Sequence, residues 1–150
     1  MSFDVKAVAD AIAVRFGPTV VTAPSGETNI QLATASLPEA ITEEPTVLVF
    51  PPELDFSYGP SLRKASAIYP VRFYIYRVRD TPRNATLLNN WITALYAALD
   101  GSAHLGLSSY VNNAVLLNVT PGPLKYGEIE YHGLQLTVRV GLGEGFTATA

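Results

Sequence analysis

The stretch YPVRFYIYRVRDTPRNATLLNNWITALYAALDG, residues Tyr69 to Gly101, holds two periodicities with no spacer between them. Val71, Phe73 and Ile75 alternate with Arg72, Tyr74 and Tyr76, the period of two that sends successive side chains to opposite faces of a sheet. Arg77 and Arg79 then take the parity on which the apolar side chains began. Thr81 follows as a helix cap, with Pro82 at the first helical position, where a missing N–H is harmless. Leu87 or Leu88, Trp91, Leu95 and Leu99 recur at helical spacing, and Asp100-Gly101 closes the helix. The segment is therefore a strand-to-helix joint, apolar where it enters the core and basic where it leaves.

Upstream, Ser2 caps a first helix in which Val5, Val8, Ile12 and Phe16 share a face, and Gly17-Pro18 ends it with a left-handed cap and a breaker. NIQLATA holds a short strand, and LPEAITEEP is an acidic connector between Pro38 and Pro45. Thr46 to Phe50 reads as a buried strand stopped by Pro51-Pro52. Residues 51–67, with Gly, Pro and Ser and no sustained period, read as a long loop between strands.

Downstream, Ala114 to Thr120 is a strand, Pro121-Gly122-Pro123 a turn, and Glu128 to Val140 a longer strand. In that strand Ile129 and Tyr131 share one parity, while Leu134, Leu136, Val138 and Val140 share the other, which implies a bulge at Gly133. Residues 141–150 have little to pack and read as a flexible tail. Helix, strand pair, helix, strand pair makes one α+β domain over 1–150. Its antiparallel or mixed sheet has four to five strands, with two helices packed on one face. The other face, carrying Tyr74 and Tyr76, is then partly open to a neighbouring subunit.

Composition fits this picture. A chain of 150 residues with 48% hydrophobic and 15% charged residues fills a core, and so modest a charge suggests that a partner covers some of its surface. There is no cysteine, which rules out disulfides, thiolate nucleophiles and Cys-bearing metal sites. The opening MSFDVKAVADAIAVRF places Asp4 and Asp10 within its apolar pattern and is a poor secretory signal. No run approaches the roughly 18 apolar residues of a membrane span. Without a secretory route, the sequons at Asn84 and Asn118 are chance matches.

Chemistry-bearing patterns are sparse. His104 and His132 are the only histidines, and Ser108 and Ser109 lack the setting of a nucleophile elbow. Glu128 with Glu130 and Glu43 with Glu44 are pairs that read as solvated carboxylates. Gly141-Leu142-Gly143-Glu144-Gly145 is glycine-rich, yet no helix follows it to receive a phosphate. Trp91 belongs to the core. Tyr58, Tyr69, Tyr74 and Tyr76 could stack on bases, but the net charge of -3 and the acidic segment disfavour a nucleic-acid surface. The expectation is a protein that is no enzyme and takes no metal or cofactor.

The charge is unevenly placed. Six acidic residues and no basic one lie from Glu27 to Asp55, and six of the ten basic residues lie from Arg63 to Arg83 beside the single acid Asp80. Basic residues on an edge strand can serve only to prevent unwanted sheet pairing. The complementary acidic block favours a second reading, in which two unlike patches meet head to tail and close into a ring. The candidate contact residues are Arg63, Lys64, Arg72, Tyr74, Tyr76, Arg77 and Arg79 on the basic side, with Glu43, Glu44, Glu53 and Asp55 on the acidic side.

The helix VKAVADAIAVRF, the strand TVLVF, the segment PPELDFSYGPSLRKASA, the strand YPVRFYIYRVRD running into TPRNATLLNNWITALYAALDG, and the closing AVLLNV and IEYHGLQLTVRV together give a layout with a known parallel. In size, element order and pattern it resembles the tail terminator proteins of long, non-contractile-tailed bacteriophages, also called tail-to-head joining or minor tail proteins. The resemblance covers nearly the whole chain. It implies a structural virion protein assembled in the bacterial cytoplasm as a homo-oligomer, a hexameric ring on the last ring of the major tail tube protein. Such a ring ends tube polymerisation and docks on the head-tail connector or stopper protein, while DNA passes through its lumen without specific binding; no membrane is involved. A head-completion or neck protein on the connector side is the nearest alternative. A nucleic-acid-binding module using Tyr74, Tyr76 and the arginines is a more distant one.

Overall fold

The computed structural model describes residues 2–23, 26–58, 63–78, 85–99, 105, 111–142 and 147–148. The fold is α+β, as expected, with six strands in the main sheet where four to five were anticipated. Its strands are β4 (Leu32–Thr34), β5 (Thr46–Val49), β6 (Glu53–Tyr58), β7 (Arg63–Arg77), β8 (Val111–Tyr126) and β9 (Ile129–Leu142). They lie in the order β4-β5-β7-β9-β8, with β6 also paired to β7. Within this sheet only the β4–β5 pair is parallel. Two further pairs, β2 (Val20–Ala23) with β3 (Gly26–Asn29) and β1 (Ser2–Phe3) with β10 (Thr147–Ala148), stand outside this sheet.

Helices α1 (Val5–Phe16) and α2 (Ala85–Leu99) join the same core on one sheet face. On α1 the expected stripe holds, with Val8, Ile12 and Phe16 fully buried. On α2 the stripe Leu88, Trp91, Leu95 and Leu99 is buried as well. These side chains meet Val71 and Phe73 of β7 and Leu134, Leu136, Val138 and Val140 of β9. Trp91 lies on Phe73 at a ring separation of 4.7 Å, and the buried Tyr69 hydroxyl donates to the Val5 carbonyl at 2.9 Å, tying β7 to the start of α1. The proposed cap of α2 at Thr81-Pro82 and its close at Asp100-Gly101 fall outside the described residues.

Several local expectations are corrected. Asp4, not Ser2, caps α1: its carboxylate accepts from the Ala7 N–H at 3.0 Å, whereas Ser2 pairs with Thr147 in β1. Gly17 keeps right-handed helical angles, φ -52° and ψ -45°, in place of a left-handed cap. Residues 51–67 are not one long loop, because β6 (Glu53–Tyr58) pairs with the start of β7 from Glu53↔Ile68 to Tyr58↔Arg63, with residues 59–62 outside the described residues. Proline masked the signal: Pro51-Pro52 interrupts what is nearly one strand, and four positions separate Val49 from Glu53 where three separate Val71 from Ile68.

Pro121-Gly122-Pro123 is not a turn either. β8 runs through it, opposite Leu134, Gly133 and His132, since an edge strand tolerates proline where the lost N–H would face outward. The reversal comes at Gly127-Glu128, where Gly127 has φ +64°. The expected bulge at Gly133 sits instead on the facing strand: Tyr74↔Gly133 is followed by Tyr76↔His132, so Ile75 is the extra residue. The parity change in β9 reflects burial on both sheet faces, with Leu134, Leu136, Val138 and Val140 under the helices and Tyr131 beneath a second cluster opposite. In the expected tail, Gly141 and Leu142 belong to β9, Leu142 is buried, and Thr147–Ala148 pairs with Ser2–Phe3.

Candidate interaction surfaces

The sheet face away from the helices is divided in two. Over one half, residues 35–45 form a strap. It covers a small core made of Leu48 (β5), Tyr74 (β7), Leu124 (β8) and Tyr131 (β9), into which the strap inserts Ile41. Tyr74 meets Tyr131 and Tyr126 edge to face, with ring centroids 5.4 and 5.6 Å apart. The strap is tied down by the Tyr126 hydroxyl, which donates to the Pro38 carbonyl, and by Thr46 Oγ1, which donates to the Glu43 carbonyl. The Gln31 N–H donates to the Pro45 carbonyl at 2.9 Å, and Arg77 Nε lies 3.3 Å from Glu44 Oε1. Tyr74, expected on an open face, is thus fully buried under this cover. Burial pushes its phenol above the ordinary pKa of 10.0, against the pull of the nearby Arg72 charge, and its hydroxyl has no well-formed hydrogen bond.

The other half of that face is bare. By ladder register, Arg72 lies beside Gln135 and Thr120, Pro70 beside Thr137 and Asn118, and Ile68 beside Arg139 and Val115. Pro70, Asn118, Thr120, Gln135 and Arg139 are exposed, and Val115 and Leu117 of the edge strand β8 are 39% and 44% exposed. β6 forms the opposite margin, with Glu53 and Asp55 exposed in the rows of Ile68 and Ser66.

The candidate residues do not form one patch. Arg72 is half-buried at the boundary between strap and bare half, its guanidinium 5.1 Å from the centre of the Phe50 ring. Tyr76 has crossed to the helix side, because the extra residue Ile75 flips the facing; it packs against the main core with its ring 5.1 Å from His132. Arg77 and Glu44, placed on opposing patches by the sequence, meet within the chain. Glu43 is exposed on the strap. Arg63 and Lys64 open β7 opposite Tyr58 and Ser57, and Arg79 lies outside the described residues.

Sequence reasoning missed Arg139 and Gln135 on the bare half, Ile41 in the strap, and Tyr126 and Tyr131 beneath it. The signal for the first pair was present, as Gln135 and Arg139 alternate with the buried residues of β9. A cavity of about 200 Å³ opens on the helix side between Val78, Leu88, Pro123, Glu130 and His132. Among the described residues no cluster of three His, Asp or Glu could hold a metal ion, and no helix is long and apolar enough to cross a membrane. No protein-family model matches the chain. No curated protein matches it either.

Proposed function

We propose that this chain is a structural virion protein of the tail-terminator type, a ring-forming subunit that caps a phage tail tube and joins it to the head connector. The reading rests on the resemblance of its element order. The observation that carries it is the polarity of the main sheet from one margin to the other. The β6 margin carries Glu53 and Asp55, whereas β8, sixteen residues long, has Lys125 as its one charged residue and no acid. Ring closure needs two unlike surfaces on each copy, and opposite margins of different charge supply them. Tyr74 is covered by the strap and Tyr76 packs on the helix side, so neither is presented on the bare face for the base stacking of a nucleic-acid module.

The test is negative-stain microscopy of the purified protein, alone and mixed with tail tubes. Rings seated on tube ends are the expected result. A protein that leaves the tubes uncapped and free to elongate would remove this reading.

A further inference from the structure

We infer that the contact between copies is made by the strap of one molecule lying on the bare half-face of the next, at its β8–β9 side. This rests on the ring reading above and assigns its interface.

The two surfaces are complementary in charge. Glu39 and Glu43 are exposed on the strap and have no ion pair among the described residues, because the strap's one in-chain partner, Arg77, is taken by Glu44. On the bare half, Arg139 is exposed and likewise without an ion pair there, in the row next to Val115 of the edge strand. The nearest acids on that face, Glu53 and Asp55, lie on β6, with β7 between them and β9. Arg72 stands deeper on the same face, four residues along the ladder, or about 13 Å at strand spacing.

The apolar groups match as well. Leu37 is 44% exposed on the strap, and Val115 and Leu117 present similar exposure on β8. Each is the kind of isolated apolar group that a modest interface covers, with the charged residues around it setting register. Strap and bare half occupy different parts of the same face, so two copies could satisfy both contacts in a two-fold dimer, whereas under the ring reading each copy offers its strap to one neighbour and its bare half to the other. A chain of such contacts closes into a ring when the rotation between copies permits.

The experiment uses two full-length variants, one with the strap reversed (E39K with E43K) and one with the face reversed (R139E). All three positions are exposed, and circular dichroism checks that both variants fold. Sedimentation velocity is run on the wild type, on each variant alone and on their equimolar mixture. The wild type is expected to assemble, and each variant alone to dissociate at about tenfold or more lower dilution. The mixture should reassemble, because each reversed strap then faces a reversed face and each native strap a native one. If the wild type assembles and both variants assemble equally well alone, or the mixture fails to recover, this contact is wrong while the ring reading stands. Recovery that stops at dimers would overturn the heterologous arrangement. A wild type that stays monomeric and leaves tube ends bare would overturn both.

Discussion

Two residues on the ladder between β7 and β9 show how closely the sheet is fitted to its sequence. A Cβ built on Gly133 would lie 2.1 Å from the Phe73 carbonyl oxygen and 3.0 Å from Leu124 Cδ1. The first obstacle is backbone in the centre of the sheet, so no rotamer change relieves it. Gly133→Ala should therefore cost about 3 kcal/mol or more, by forcing apart the strands that carry both cores. Urea denaturation would check this, and a midpoint within error of the wild type would contradict the close approach. Tyr74 makes a different claim. Burial raises its folded-state pKa above the unfolded value of 10.0, so the native state holds the phenolic proton more tightly than the unfolded chain does. The resulting stability is fully present below about pH 10 and is lost as pH rises through the folded-state value. Comparison with Tyr74→Phe isolates the contribution of this one phenol. Below pH 9 the variant should be as stable as the wild type or more so, since the hydroxyl it removes is buried with no well-formed hydrogen bond. Between pH 10 and 11 it should lose less stability than the wild type; parallel losses would mean that Tyr74 titrates as an ordinary phenol.

At the scale of elements, what was legible in the sequence follows from how many constraints act on one segment. α1, α2, β5 and the second half of β7 bury a single face or run into the core, so periodicity alone found them. β6 was hidden by Pro51-Pro52, and the passage of β8 through Pro121-Gly122-Pro123 was hidden by a rule about proline that edge strands escape. Tyr131 was misread for another reason. The phase change in β9 was seen, but one buried face was assumed, and a strap of irregular chain that shelters a second core leaves no periodic mark. The candidate site was legible only in part. The acidic and basic blocks are plain in the sequence, yet distance along the chain could not tell that Glu44 and Arg77 meet in the same molecule. Their side chains are 30% and 43% exposed, so this pair contributes at most about 1 kcal/mol and acts chiefly to fix the end of the strap. Arg139 was passed over because it lies far from the basic block, although its alternation in β9 marked it as outward-facing.

For the molecule as a whole, the sheet separates two cores of unequal size. The larger is covered by two helices and contains most of the buried apolar residues. The smaller has the strap above it, and Ile41, 4% exposed, is the side chain by which the strap joins its apolar cluster. An irregular segment held by one apolar anchor, a few hydrogen bonds and an exposed ion pair is bound far less strongly than a helix with a four-residue stripe. Full burial of one isoleucine is worth about 2 to 3 kcal/mol, which sets the scale of what holds the strap down. It should then open independently, as a local unit of low stability on a more stable body. Placing a charge at the anchor tests this. In Ile41→Asp the carboxylate would have to lose its hydration among Leu48, Tyr74, Leu124 and Tyr131, so the strap should lift. Limited proteolysis should cut within residues 35–45, while amide exchange at Val71, Leu136 and Val138 stays as slow as in the wild type. If exchange at those amides accelerates in step with cleavage, the strap and the helix-covered core unfold as one unit. A lifted strap would also withdraw Leu37, Glu39 and Glu43 from a neighbouring copy, so the same variant should assemble less well even though its main core is intact.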